Sequence, residues 1–491
     1  MTRPRVLPPI VLTGQITERQ DDCACPDRAF VLSFDSKQEN ENDCACAENL
    51  TSVWSKQNQA NFFTCAKETY TSSISENFWL VQSPYAPAGP SVLNQPAWDR
   101  WQEFQSPRAL SEPVDFTLAE QNLILPVGTV PKAENSAPET LTAWLHVTNA
   151  CNLDCPYCYV RKSSASMSLE TGLKTVENIF GQAKEHGFRA VKLKYAGGES
   201  TLQFRLVRSI HARAQKLAYE TGINLRSVIL SNGTRLRPVD ADWLVDNHIN
   251  LMISLDGVGT QHDRMRPMRG GGSSFDALAS VVDEILLPRG IHPFASITIT
   301  RWNVDGVASA VRWALERELP VSLNFYRQTQ LAPADMILEE DAIIQGMLTA
   351  YAVFEEFIPS RPFLNGLLDR VQMDAHLHTC GAGISYMVVT HEGKLAQCQM
   401  HLEHSIAPTS PDNWLRVLGN GMIQNVSVDK KTECSECVYR YRCSGGCPLE
   451  TFRSTGRWDA RNPNCRIYKT LLPAAMRLEG LRLLKYSGYS L

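Results

Sequence analysis

Several absences frame this sequence of 491 residues. No apolar run approaches the ~18 residues that a membrane-spanning helix needs, so no such helix is expected. No basic excess exists either: 48 Lys and Arg stand against 52 Asp and Glu, a formal net charge of −4. The electrostatic footprint of a nucleic-acid binder is therefore missing. The N-terminus, M-T-R-P-R-V-L-P-P-I-V-L-T-G, joins basic residues to a short apolar stretch. Prolines break that stretch and no small-residue cleavage site follows closely, so no signal peptide is read and a cytoplasmic location is expected. What is present is a hydrophobic fraction of 43% and a charged fraction of 20%, ordinary for a soluble globular protein. The length calls for two or three domains.

Another absence is local. Of 15 cysteines, none lies between Cys158 and Cys380. They group before residue 70, at 151–158 and at 380–465. In a cytoplasmic chain such groups read as metal ligands or catalytic thiols before disulfides. Cys151, Cys155 and Cys158 fall in C-N-L-D-C-P-Y-C-Y, and the nearest cysteines outside the loop are Cys65 and Cys380. A structural zinc site takes four ligands, usually as two pairs, whereas this loop offers three. Three thiolates can hold three corners of a cubane iron–sulfur cluster and leave its fourth iron open. A zinc site and a disulfide pair are the alternative readings.

From about residue 140 to 330 short apolar runs alternate with amphipathic segments. T-A-W-L-H-V-T, A-V-K-L-K-Y-A-G-G-E, R-S-V-I-L-S-N, L-M-I-S-L-D-G, A-S-I-T-I-T and V-S-L-N-F-Y read as strands. Helices are expected over 169–186, 206–221, 240–247, 275–287 and 306–318. This alternation implies βα units on a parallel sheet, and about six units give a partial (β/α)6 barrel in an α/β fold. Residues 333–375 read as a helical linker, 376–470 as a cysteine-rich domain held by metal as much as by a core, and 471–491 as a tail. Residues 1–75 are a polar, cysteine-containing repeat. Cys23, Cys44 and Cys65 recur every 21 residues, the first two opening C-A-C after Asp22 and Asp43, and S-K-Q recurs at Ser36 and Ser55. Residues 76–138 look more globular.

The cysteine loop, with Tyr157 just before Cys158, resembles that of radical S-adenosylmethionine (SAM) enzymes. The resemblance covers about residues 140–470. It implies that the open iron of a 4Fe–4S cluster chelates SAM and that an electron cleaves SAM to a 5′-deoxyadenosyl radical. It also implies further SAM contacts: Tyr157 at the adenine; Gly197, Gly198 and Glu199, similar to a G-G-E motif, at the amino group; Ser231 and Asn232 at the ribose; Ser254 and Asp256 at the end of the fourth strand; and Arg266 at the carboxylate, where its planar fork suits. The residue after G-G-E is often proline in the family and is Ser200 here. In parallel α/β folds the site lies at the carboxyl ends of the strands, where each of these motifs falls.

The seven later cysteines, Cys380, Cys398, Cys434, Cys437, Cys443, Cys447 and Cys465, resemble the SPASM domain of radical SAM enzymes that modify peptides and proteins. That implies two auxiliary 4Fe–4S clusters. One would sit on Cys434, Cys437, Cys443 and Cys465, and the other on Cys380, Cys398 and Cys447. The second has three thiolates, and its fourth position is left open, taken by His376 or His378, or supplied by a distant thiolate such as Cys65. Relatives that form formylglycine carry an aspartate after the cysteine equivalent to Cys398; here it is Gln399.

The resemblance implies a maturase that crosslinks a ribosomally made peptide, with a leader segment and a reductant such as flavodoxin or ferredoxin as partners. Neither nucleic acid nor membrane is expected as a partner. Residues 76–138 are the expected winged-helix-like recognition element, which would pair a leader with a sheet edge. Two alternatives stay open: a formylglycine-type or other two-electron oxidation, and a non-catalytic iron–sulfur scaffold. The C-A-C repeats read as free thiols, as ligands of an additional metal or of the open cluster, or as a repetitive substrate fused to its own enzyme.

Overall fold

The computed structural model of the chain describes residues 8–14, 62–87, 89–128, 138–329, 331–337, 339–373, 375–408, 410 and 413–488. The C-A-C pairs at Cys23 and Cys44 lie outside the described residues.

The chain opens with β1 (Val11–Thr13), β2 (Phe63–Cys65), β3 (Tyr70–Ser75), β4 (Phe78–Gln82) and β5 (Ser91–Asn94). Then come α1 (Gln95–Glu103), α2 (Pro113–Glu120) and β6 (Ile124–Pro126). An antiparallel sheet runs in the order β1-β5-β4-β3, and β2 pairs separately with β6. Asn94 ends β5 and caps α1, its Oδ1 accepting from the Ala97 N–H at 3.1 Å. Behind the cap Trp79 stacks on Trp98 at 4.3 Å, and Trp98 and Trp101 are buried. The polar repeat expected through residue 75 therefore gives way to strand at Phe63. Cys65, the third member of the repeat, is a strand residue.

Next come β7 (Thr140–Thr148), α3 (Leu169–Glu185), β8 (Ala190–Gly197), α4 (Phe204–Thr221), β9 (Asn224–Ser231), α5 (Pro238–Asp246) and β10 (Asn250–Ser254). They are followed by α6 (Thr260–Met265), α7 (Ser274–Ser280), β11 (Phe294–Ile299), α8 (Val307–Leu315) and β12 (Val321–Phe325). Strands β7 to β12 are parallel and pair in sequence order. On β7, Leu141, Ala143, Leu145 and Val147 join the main core, while Thr142, Trp144, His146 and Thr148 share the other face. Helix α3 starts where Ser168 accepts from the Thr171 N–H at 3.0 Å. The helix expected over 275–287 changes to a π-helical turn at Val281–Leu286.

The C-terminal part holds α9 (Glu340–Phe357), α10 (Leu364–Leu367), β13 (Tyr386–Val389), β14 (Leu395–Ala396), α11 (Trp414–Gly419), α12 (Arg440–Cys443), α13 (Pro448–Thr455) and α14 (Cys465–Tyr486). Strand β13 pairs parallel to β7, with Tyr386 opposite Thr142, so the cysteine-rich region extends the barrel sheet to eight strands. The expected helical linker is helical mainly over α9. The expected tail is instead most of α14. That helix packs on α9 and against β1, β3 and β5, and buries the Glu479–Arg482 ion pair. Pro473 and Gly480 interrupt the pattern that marks a helix in sequence, and packing on two neighbours overrides them.

Candidate functional site

Cys151, Cys155 and Cys158 lie in the loop leaving β7. The three thiols are electrostatic neighbours, Cys158 acting on both others. The Leu153 N–H donates to Cys151 Sγ at 3.4 Å, and Arg266 Nη1 lies 3.9 Å from Cys155 Sγ. Burial pushes the Cys155 thiol up to about 11, with Arg266 opposing. Donors and a guanidinium aimed at sulfur suit thiolates bound to metal, which displaces their protons. No group of three or more Cys, His, Asp or Glu among the described residues could hold a single metal ion. A cubane, whose thiolates sit on different irons, asks for wider spacing, and the donor set fits it.

Gly197 and Gly198 are required by the loop itself. A Cβ on Gly197, where φ is +155°, would stand 2.4 Å from the Thr148 carbonyl oxygen, and one on Gly198 2.3 Å from that of Ala150. Their backbones hug the root of the cysteine loop, with the Gly198 N–H donating to Thr148 O at 2.7 Å and the Glu199 N–H to Ala150 O at 2.8 Å. The Glu199 carboxylate also has a structural role. It is 1% exposed and accepts from Thr201 N (3.1 Å), Thr201 Oγ1 (2.6 Å), Ser231 Oγ (2.8 Å) and Asn232 N (2.7 Å). Three of these donors fall on Oε1 and one on Oε2. Glu199 thus ties the end of β9 to β8 and keeps acceptor capacity on Oε2.

Asn232 serves the same loop. Its Nδ2 donates to Asn152 Oδ1 at 2.9 Å and stands 4.0 Å from Cys151 Sγ, while its Oδ1 takes Thr234. Ser231 gives its hydroxyl to Glu199 and receives the Gly233 N–H. Ser231 and Asn232 thus brace the cysteine loop from the end of β9. Ser254 ends β10 opposite Ser296. Asp256 is buried and accepts from Thr298 N at 2.8 Å, from Arg266 Nε at 2.6 Å and from the Tyr157 hydroxyl. Arg266 also lies over the Tyr157 ring. Tyr157, Asp256 and Arg266 form one cluster beside Cys155, spanning the cysteine loop and the segment after β10.

The other thiols form two sets. Cys434, Cys437, Cys443 and Cys465 line one small cavity with Tyr468 and Asn462. Cys380, Cys398 and Cys447 are mutual electrostatic neighbours, with Arg370 and Arg327 beside them. Burial pushes Cys380 and Cys443 up to about 12. Lys431 is 1% exposed and sits between the sets, acting on Cys434, Cys443, Cys447 and Cys380 while donating to Gly445 O at 3.1 Å. Cys65 turns elsewhere, its thiol donating to Trp101 O at 3.3 Å in the N-terminal core. His376 is buried, its N–H on Tyr441 O and its carbonyl accepting from Ser444 Oγ.

A cleft of about 750 Å³ lies between residues at the carboxyl ends of the strands and residues close in the chain to Cys398, Cys447 and Cys465. Its lining includes His146, Tyr159, Phe325, Arg327, Gln399 and Glu450. Gln399 Oε1 accepts from the Tyr386 hydroxyl at 2.8 Å. Glu450 receives Asn464 Nδ2 at 3.2 Å, and burial raises its carboxyl above the usual range. Arg453 joins the rims, bonding Gln328 O and Met400 O.

Sequence reasoning missed His146. The imidazole is 1% exposed. Its Nε2 faces Asn149 Oδ1 at 2.7 Å, while Asn149 Nδ2 reaches Ser163 Oγ at 3.3 Å. Asn149 thereby presents its oxygen, and Nε2 carries the proton. Nδ1 is left as a bare acceptor with no partner among the described residues. Burial holds the ring neutral, lowering its pKa to about 4. The signal in sequence was its place on the inward face of β7, one residue short of the G-G-E register (His146 opposite Ala196).

Residues 145–299 match the Radical SAM superfamily. The chain is 22% identical over 371 residues to an AdoMet-dependent heme synthase of Oleidesulfovibrio alaskensis, covering 69% of this chain and 89% of that one. It is 22% identical over 339 residues to the antilisterial bacteriocin subtilosin biosynthesis protein AlbA of Bacillus subtilis, covering 65% and 70%. A solved structure of native anSMEcpe with bound AdoMet and Cp18Cys peptide superposes with a TM-score of 0.58 at 18% identity, covering 70% of this chain and 99% of that one. The chain carries a radical SAM domain and is an enzyme of that chemistry. Among the described residues no helix is long and apolar enough to cross a membrane.

Proposed function

We propose that this radical SAM protein is a maturase that crosslinks a ribosomally made peptide. The observation that carries the reading is a cleft lined both by residues flanking the cysteine loop (Asn149, Tyr159) and by chain neighbours of the later thiols (Gln399, Leu449, Asn464), with Arg266 against Cys155 in that loop. Cys151, Cys155 and Cys158 would hold a 4Fe–4S cluster, which would supply the electron for reductive cleavage of SAM to methionine and a 5′-deoxyadenosyl radical. Arg266, fixed by Asp256, offers its remaining N–H groups to the SAM carboxylate, and Tyr157 walls the adenine side. Gly197, Gly198, Glu199 and Asn232 hold the cysteine loop rigid. The cleft walls exclude water and orient the substrate. His146 Nδ1 accepts one substrate N–H, O–H or S–H. The sets Cys434/Cys437/Cys443/Cys465 and Cys380/Cys398/Cys447 would hold auxiliary clusters, which would supply an acceptor for the surplus electron.

The relatives lend support. AlbA is named for the biosynthesis of a bacteriocin, and the superposable solved structure holds both AdoMet and a peptide. A formylglycine-type oxidation is disfavoured because Gln399 stands where an acidic base is expected and spends its oxygen on Tyr386. A leader on the substrate, a flavodoxin or ferredoxin reductant, and a cytoplasmic setting that keeps these thiols reduced belong to the same reading.

The test is anaerobic reconstitution followed by dithionite, SAM and candidate peptides. Release of 5′-deoxyadenosine together with a 2 Da loss, placed at a bridge by fragmentation, is expected. Absence of 5′-deoxyadenosine under every reductant would establish a binding scaffold instead.

A further inference from the structure

We propose that the chain's own Cys-Ala-Cys segment is a substrate of this cleft, with β1 as a built-in recognition strand. This rests on the maturase reading and names its substrate.

Strand β1 adds to the edge of the N-terminal sheet, with Val11 opposite Leu93, Leu12 opposite Val92 and Thr13 opposite Ser91. A buried amide clamps it. Asn94, 2% exposed, accepts the Ile10 N–H at 2.9 Å through Oδ1, donates Nδ2 to Pro8 O at 2.8 Å, and donates its backbone N–H to Ile10 O at 3.1 Å. Val11 and Leu12 then pack into two different cores. Main-chain pairing at a sheet edge, with alternate side chains in separate pockets, is how a sheet captures an extended peptide.

Directly after β1 come the 47 residues 15–61, which carry Cys23, Cys25, Cys44 and Cys46. The chain re-enters at β2, and Ala66 just beyond packs in one cluster with Cys434. Recognition strand followed by a cysteine-bearing stretch is the order of a precursor peptide, here continuous with the enzyme. Reach does not limit it. Cys46 lies 16 residues before Phe62, which at ~3.3 Å per residue is about 50 Å of extended chain. A compact chain of this size has a radius of gyration of about 23 Å. A tethered segment also sees its site at an effective concentration of order millimolar, which a free peptide rarely matches.

Each bridge balances as follows. A cysteine thiol releases its proton to solvent, and a carbon of the segment gives its hydrogen atom to the 5′-deoxyadenosyl radical. A C–S bond forms, and the remaining electron passes to an iron–sulfur acceptor on the auxiliary thiols. The segment loses two hydrogens.

The test uses the whole reconstituted chain with SAM and dithionite and no added peptide. The product is reduced with excess thiol, alkylated with iodoacetamide, digested and weighed, so that disulfides do not count. Peptides from 15–61 are expected to be 2 Da lighter per bridge and to take one alkyl group fewer, with a yield unchanged over a hundredfold dilution. Ile10→Pro, which removes the N–H held by Asn94, should cut the yield several-fold while 5′-deoxyadenosine release persists. Release of 5′-deoxyadenosine with all four cysteines alkylated and unshifted overturns the proposal and leaves the maturase reading standing. A yield that falls with dilution overturns modification within one chain. Absence of 5′-deoxyadenosine removes both readings.

Discussion

Arg266 Nε lies 2.6 Å from Asp256 Oδ2, the oxygen that also receives the Tyr157 hydroxyl. The arginine side chain is 11% exposed and the aspartate 0%. Removing one partner of such a pair strands a buried charge, at a cost of about 3–5 kcal/mol. Asp256→Asn should therefore lower the urea-unfolding free energy by about that much. Arg266→Met with Asp256→Leu should be much milder, because both charges leave together. Equal losses in the two variants would show that the charges do not act as a pair.

Gly198→Ala tests how the cysteine loop is held. Its methyl would meet the Ala150 carbonyl oxygen, and backbone cannot yield as a side-chain tip does. The variant should fold but load the first cluster poorly. About twelve irons per chain should drop to about eight, as three cubanes become two. Full loading would mean that the close approach is dispensable.

Lys431 offers a redox prediction. It is a buried cation beside thiols of both auxiliary sets. A nearby positive charge favours the reduced, more anionic state of a cluster. Lys431→Met should shift both auxiliary potentials negative, on the order of tens of millivolts. The first cluster should not move. Potentiometric titration followed by electron paramagnetic resonance separates the three signals.

Acid should weaken the fold early. Burial lowers the pKa of His146, His211 and His262 to about 4 from the usual 6.5. Between those values the unfolded chain binds more protons than the folded one, so stability falls as pH drops from about 6.5 towards 4. Each ring contributes on the order of a few kcal/mol across that window. Urea midpoints at pH 7.5, 6.0 and 5.0 should decline stepwise, and His211→Phe should flatten part of the slope. A midpoint unchanged down to pH 5 would contradict the assignment of neutral, buried imidazoles.

Much of this architecture was readable from residues alone because its signals are local. The cysteine loop declares itself by spacing within eight residues. The six parallel strands declare themselves by apolar runs that end in glycine and polar residues. The parts that escaped reading depend on partners distant in sequence. Strand β1 is three residues long and gains meaning only from β5, some eighty residues on. The pairing of β13 with β7, which fuses the cysteine-rich region to the barrel sheet, has no local trace. That Glu199 also ties β8 to β9 through Ser231, Thr201 and Asn232 has no trace in the G-G-E motif itself. His146 reads as one more strand residue until the inward face of β7 and the oxygen of Asn149 fix its tautomer.

The most direct test of the account is the amount of 5′-deoxyadenosine formed by anaerobically reconstituted, dithionite-reduced protein with SAM, beside a Cys155→Ser variant. At least stoichiometric release from the native chain and none from the variant is the predicted result. Release unaffected by the substitution, or a native chain that binds zinc at Cys151, Cys155 and Cys158 and leaves SAM intact, would contradict it.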